Sequence, residues 1–188
     1  KMKIGITGSL SSGKTTASKI LSAKRGPLFN SDEAVRELYQ NRRFQKLICR
    51  KFKIKNNKQI KKTLRELILE DKNNIKKLEK VIHPLVRKKM KKFTLKNKNK
   101  KLLFYEVPLL IESKLMKRFD LIIFIKAKKK IRMKRFLQKR GDAKLFNLLN
   151  NKQIQDNKKE KHCDYVVVNE KNFKILKKNL SNIMNRYE

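Results

Sequence analysis

In "GITGSLSSGKTT", residues 5–16, the residues Gly8, Gly13, Lys14 and Thr15 stand at the spacing G-x-x-x-x-G-K-[ST]. Glycines at both ends let the backbone curl until successive N–H groups face inward. The following helix then adds its positive N-terminal end, and the two together bind phosphate. Ser9, Leu10, Ser11 and Ser12 form the curl, Lys14 is placed to reach the β and γ phosphates of a nucleotide, and the Thr15 hydroxyl to ligate Mg²⁺, with Thr16 completing the first helical residues. The motif follows an apolar run and opens a helical pattern, which is the setting that gives it meaning.

Two carboxylates stand at the ends of other apolar runs. "NSDEAVREL", residues 30–38, places Asp32 where a strand hands over to a helix, with Arg36 one turn on; "FYEVPLLIE", residues 104–112, places Glu106 just before Pro108. In a parallel sheet the carboxyl ends of the strands share one edge, so both carboxylates are expected at the phosphate crevice. Asp32 fits either a proton acceptor for an attacking hydroxyl or a carboxylate that only complements the helix dipole. Glu106 fits a group that positions Mg²⁺ through water, whereas Glu112 reads as an ordinary surface charge. "VIHPLVR" offers His83 and Arg87 around Pro84, a residue that disturbs helices, and Arg132, Arg135, Lys139 and Arg140 line a basic stretch able to close over a transferring phosphate.

The elements that must position these groups are legible as alternating apolar runs and amphipathic stretches. Strands are expected at residues 3–7, 26–30, 102–107, 121–127 and 165–168, and a helix over 14–24. "LIIFI" and "YVVV" are apolar without alternation, as strands buried on both faces of a parallel sheet are. A second helix is expected from Ser31, with Asn30 as cap and Glu33 at the capping-box position. The pattern predicts an α/β fold, a parallel sheet flanked by helices. Residues 1–38, 102–130 and 163–188 form its core, a helical lobe covers 39–101 with a polar loop at 53–59, and a mobile basic lid covers 131–162.

Composition narrows the partners. Of 188 residues, 53 are Lys or Arg and 16 Asp or Glu, a formal net charge of +37 that attracts polyanions. Lysines outnumber arginines 41 to 12, asparagines reach 17, tryptophan is absent, and the cations are spread along the chain. Base reading favours arginine and stacking platforms favour aromatics, so an anionic small molecule is preferred over a dedicated nucleic-acid footprint. Cys49 and Cys163 have no partner at metal-ligand spacing and read as reduced thiols. Without a run approaching the roughly 20 apolar residues of a membrane span, or a signal-peptide layout, a cytoplasmic protein with no membrane partner, most simply a monomer, is expected.

Taken in order, "TGSLSSGKTT", "NSDEAVR", "LEKVIHPLVR", "VPLLIE", a basic stretch followed by a glutamine, and "DYVVVN" resemble the dephospho-coenzyme A kinase family over nearly the whole chain. The resemblance implies a P-loop kinase-type core with a substrate lobe and a lid, and ATP-dependent phosphorylation of the ribose 3′-hydroxyl of dephospho-coenzyme A. It implies Asp32 as catalytic base; Arg36, His83 and Arg87 facing the acceptor; Lys139 or Arg140 on ATP phosphates; and Asn169 where the last strand turns past the adenine. Ser9 and Ser11 replace family glycines, Asn30 stands where an Asp is usual, and Glu106 replaces a common Asp. Two rivals share parts of the pattern: a kinase of another nucleoside or nucleotide, and a basic nucleic-acid-binding NTPase.

Overall fold

The computed structural model describes residues 1–55, 59–139 and 142–187. Five strands, β1 (Met2–Gly8), β2 (Leu28–Asn30), β3 (Leu102–Glu106), β4 (Leu121–Lys126) and β5 (Tyr165–Val168), form one parallel sheet in the order β2-β3-β1-β4-β5. The chain leaves β1 toward one edge and returns to build β4 and β5 on the other. β1 therefore borders a topological switch point, where such sheets place ligands at the carboxyl ends of their strands.

The chain divides into two compact units, residues 1–30 with 96–188, and residues 31–95. In the first, α1 (Lys14–Ser22) and α9 (Phe173–Met184) pack Ala17, Leu21, Leu176 and Leu180 against Ile4, Ile6, Ile123 and Val167 of the sheet. β4 is buried along Leu121–Ile125, as a central strand covered by helices must be. β5 corrects the expectation for "YVVV": it is an edge strand, Val167 is buried in the core with Tyr165 packed against it, and Val166 and Val168 are 42% and 49% exposed. Three further helices, α6 (Lys129–Gln138), α7 (Ala143–Lys152) and α8 (Asp156–Glu160), lie between β4 and β5.

The second unit is helical: α2 (Ser31–Gln40), α3 (Arg42–Phe52), α4 (Ile60–Glu70) and α5 (Asn73–Lys96). Its core is Leu38, Phe44, Ile48, Cys49, Phe52, Ile60 and Leu64, with Leu78, Val81, Ile82 and Leu85 of α5 packed against it. Asn41 caps α3 by accepting the N–H groups of Arg43 and Phe44 at 2.9 and 3.1 Å. Pro84 lies inside α5 without ending it. A proline removes one donor and crowds the preceding turn, and here the apolar stripe on either side of it holds the helix together. Of the expected loop at 53–59, residues 56–58 lie outside the described residues.

Cys49 is buried in the helical unit and Cys163 is half-buried two residues before β5; both are free thiols. Burial, with the Asp164 and Glu160 carboxylates beside it, pushes the Cys163 thiol from its ordinary 9.0 up to about 12. The folded value lies above the unfolded one. The stabilisation from keeping the thiol neutral is therefore present below pH 9 and declines as pH rises toward 12. At pH 8 iodoacetamide should label Cys163 slowly in the native protein and readily after denaturation, because the thiolate is the nucleophile. Rapid native labelling, read by mass spectrometry, would contradict this.

Candidate active site

β1 ends at Gly8 and α1 begins at Lys14, so residues 9–13 turn the chain from sheet to helix. A Cβ at Gly8 would run into the Ile125 carbonyl, and one at Gly13, where φ is +98°, into the Asn169 amide. Ser11 takes a left-handed φ of 57°, which disfavours a side chain by roughly 1–2 kcal/mol relative to glycine. The first helical bond here runs from Ala17 N–H to the Gly13 carbonyl at 3.1 Å. Amides ahead of it point out of the helix end, where an anion is bound. Lys14, 8% exposed, donates through Nζ to the Ser9 carbonyl at 2.8 Å.

Beside this loop, parallel pairing aligns Glu106 with both Ile6 of β1 and Asn30 of β2. Glu106 is 1% exposed; its Oε1 accepts the Thr15 hydroxyl at 2.7 Å and its Oε2 accepts the Asn30 amide at 2.8 Å. A hydroxyl and a carboxylate in contact are hard oxygen donors of the kind Mg²⁺ uses when phosphates supply most of its remaining ligands. The residues present fit that ion. Asn30, where the family commonly has a second acid, serves as donor to the one carboxylate that remains.

Among the basic residues expected to close over phosphate, two hold backbone carbonyls of the loop itself. Arg132, 6% exposed, donates through Nε to the Ala127 carbonyl at 2.9 Å and through Nη1 to the Leu10 carbonyl at 3.3 Å and Asn150 Oδ1 at 2.8 Å. Burial pulls its guanidinium below the ordinary value, with Asp156 acting in the opposite direction. Arg135 donates to the Ser12 carbonyl at 3.2 Å and to the Asn169 carbonyl at 2.9 Å. Asn169, 8% exposed, gives its side-chain amide to the Ser12 carbonyl at 2.9 Å and its N–H to Lys126 at 2.7 Å. These groups therefore brace the loop's backbone. Lys139 is exposed in the turn after α6, and Arg140 lies outside the described residues.

Sequence reasoning missed two further loop contacts. Gln153 Oε1 accepts the Leu10 N–H at 3.1 Å, and Asp156 accepts the Ser9 hydroxyl. Gln153 follows the end of α7 and Asp156 opens α8, so no helical periodicity in the sequence marks the pair. Glu112, read as a surface charge, is ion-paired to the buried Lys159 at 2.7 Å.

The remaining expected site residues belong to the helical unit. Asp32 is exposed in the first turn of α2, four residues before Arg36, so the two share a helix face. Arg36 pairs with Glu33 at 3.3 Å across exposed surface. His83, half-buried, and Arg87, exposed, stand four apart on α5, which is tied to α2 by the ion pair of Lys89 with Glu37. The structure thus gathers Gly8–Thr16, Glu106 and Asn169 in one unit, and carries Asp32, Arg36, His83 and Arg87 on two linked helices of the other.

A glycine-ended loop between the central strand and a helix, a buried lysine in it, and a threonine–carboxylate pair beside it define a P-loop kinase-type phosphotransferase. A family model described as dephospho-CoA kinase matches residues 2–174. The chain therefore belongs to the dephospho-CoA kinase family, whose members use ATP. It is 34% identical over 169 residues to the dephospho-CoA kinase of Bartonella henselae, covering 87% of each chain. In fold it is similar to a crystal structure from Thermus thermophilus, with a TM-score of 0.81 and 24% identity over 100% of this chain and 98% of that one. It is also similar to dephospho-CoA kinase from Campylobacter jejuni, with a TM-score of 0.63 and 21% identity over 98% and 96%. Among the described residues, no helix is long and apolar enough to cross a membrane.

Proposed function

We propose that the chain transfers the γ-phosphoryl of ATP to the ribose 3′-hydroxyl of dephospho-coenzyme A, the closing step of coenzyme A synthesis, and that its residues divide the work as follows. The amides of residues 8–16 and the Lys14 ammonium bind the triphosphate. Thr15 and Glu106 hold Mg²⁺, which when bound supplies charge neutralisation at the phosphates. Asp32 accepts the hydroxyl proton; Arg36, His83 and Arg87 bind the anionic acceptor; and Lys139 or Arg140 contacts ATP phosphates. Asn169 sets the loop from behind, at the point where the chain passes the adenine. Residues 39–101 act as substrate lobe and 131–162 as lid on one catalytic domain, working as a cytoplasmic monomer.

The observation that carries this reading is the 2.7 Å bond between Thr15 and Glu106 at the mouth of a braced phosphate loop, in a chain whose family match extends over residues 2–174. Little covalent work falls to protein groups in phosphoryl transfer, so positioning and electrostatics set the rate. A coupled assay for ADP tests it with dephospho-coenzyme A, adenosine, nucleoside monophosphates and DNA as separate acceptors. ADP formation should depend on dephospho-coenzyme A alone. Stimulation by DNA, or a preference for a nucleoside monophosphate, would overturn it.

The net charge of +37 motivates a separate expectation, that nucleic acid binds weakly and without sequence preference. Its affinity should fall linearly on a log–log plot against salt, as counterion release requires. Sequence-selective binding that persists at high salt, measured by fluorescence anisotropy, would show that the lysines form a dedicated interface.

A further inference from the structure

Lys159 is 0% exposed in a chain with 41 lysines. An ammonium is removed from water at great cost unless it is paired. Here Nζ lies 2.7 Å from Glu112 Oε1, and that same oxygen accepts the Ile154 N–H at 3.3 Å. One carboxylate oxygen thus holds both ends of the stretch from Ile154 to Lys159. A second tie, Glu160 to Lys126 at 2.7 Å, fixes the end of α8 to β4.

What this stretch touches gives the arrangement its meaning. Asp156, inside it, accepts the Ser9 hydroxyl, and Gln153, immediately before it, accepts the Leu10 N–H at 3.1 Å. Arg132 grips the Leu10 carbonyl from the other side at 3.3 Å. The Ser9 carbonyl is in turn the atom on which the Lys14 ammonium rests, at 2.8 Å. A continuous set of polar contacts therefore runs from Lys159 through Glu112 and α8 to the outer arm of the loop and the lysine it carries. Buried ion pairs are poor sources of stability, because desolvation offsets their attraction. What an apolar pair cannot supply here is the shared anchor, one carboxylate oxygen that attracts the Lys159 ammonium and accepts the Ile154 N–H.

We propose that the Lys159–Glu112 pair is a positioning element for the nucleotide: it clamps Gln153 and Asp156 onto Leu10 and Ser9, so that the phosphate loop is preset before ATP arrives. Neither residue touches the reacting atoms. The proposal rests on the reading of residues 8–16 as the ATP site. The primary measurement is therefore binding of MgADP by titration calorimetry, which needs no acceptor.

The test variant is Lys159→Met with Glu112→Leu, an apolar pair that leaves no unpaired buried charge and should melt at or above the parent temperature. Its MgADP affinity should fall about tenfold, within the range by which residues that touch no ligand modulate a binding site, while KM for dephospho-coenzyme A stays unchanged. Asp156→Ala should weaken MgADP comparably, and combining it with the double variant should add little, because both act through one contact. If the double variant fails to fold, Glu112→Gln, which keeps shape but loses the charge pair, should still weaken MgADP selectively. Unchanged nucleotide affinity in the folded variants, or losses that multiply, would overturn the clamp. A parent protein that binds no MgADP would instead refute the loop reading itself.

Discussion

Lys14→Ala should lower kcat by roughly 10²- to 10³-fold, the order found when one electrostatic contact to developing charge is removed, and should raise KM for ATP as well. The double effect follows from position. Lys14 leads α1 with its ammonium held at the Ser9 carbonyl, 2.8 Å away, inside the loop that takes the phosphates. It therefore meets the nucleotide in both ground and transition states, and a group that binds both moves KM and kcat together. Removing it also leaves the Ser9 carbonyl without this donor, which lowers stability by about 1–3 kcal/mol where the carbonyl is buried. Lys14→Arg should not rescue, because a planar guanidinium does not replace a compact ammonium. Steady-state kinetics at saturating and limiting ATP decide the matter, and a variant with normal KM for ATP would contradict the placement.

Asp32→Asn should behave differently. If Asp32 is the proton acceptor, the amide keeps its shape and loses only its basicity, so kcat should fall by roughly 10²- to 10⁴-fold with the affinity for ATP nearly unchanged. Stability should barely move, since Asp32 is exposed in the first turn of α2 and loses only a dipole interaction of about 0.3–1 kcal/mol. A loose transition state would place proton removal late and the fall toward the smaller figure. A folded Asp32→Asn protein that binds MgATP and turns over within a few-fold of the parent would remove Asp32 from the chemistry. A lowered melting temperature with near-normal turnover would assign it to the helix alone.

The parts of the molecule readable from sequence are those governed by covalent neighbours. The loop between β1 and α1 was legible because glycines and lysine must stand at set offsets, and β3 and β4 because central strands carry continuous apolar runs, LLFY and LIIFI. β5 carries the same apolar run, but its place at the sheet's edge is decided by strand order, which no local pattern encodes. Pro84 reads as a helix breaker until the stripe of Val81, Ile82 and Leu85 is seen packed on the helical core. Arg132 and Arg135 read as cations for phosphate, since nothing in their spacing reveals that carbonyls of Leu10, Ser12 and Asn169 lie within reach. Lys159 was the least legible, for the burial of a particular lysine among 41 leaves no compositional trace, and its partner Glu112 is 47 residues distant in sequence.

The identity of the phosphorylated atom tests the account most directly. With ATP and dephospho-coenzyme A as the only substrates, ³¹P and proton NMR of the purified product should show one new phosphomonoester coupled to the ribose 3′ proton, formed in equal amount with ADP. Phosphate on the 2′ oxygen, or ADP accompanied by free inorganic phosphate and unchanged dephospho-coenzyme A, would contradict it.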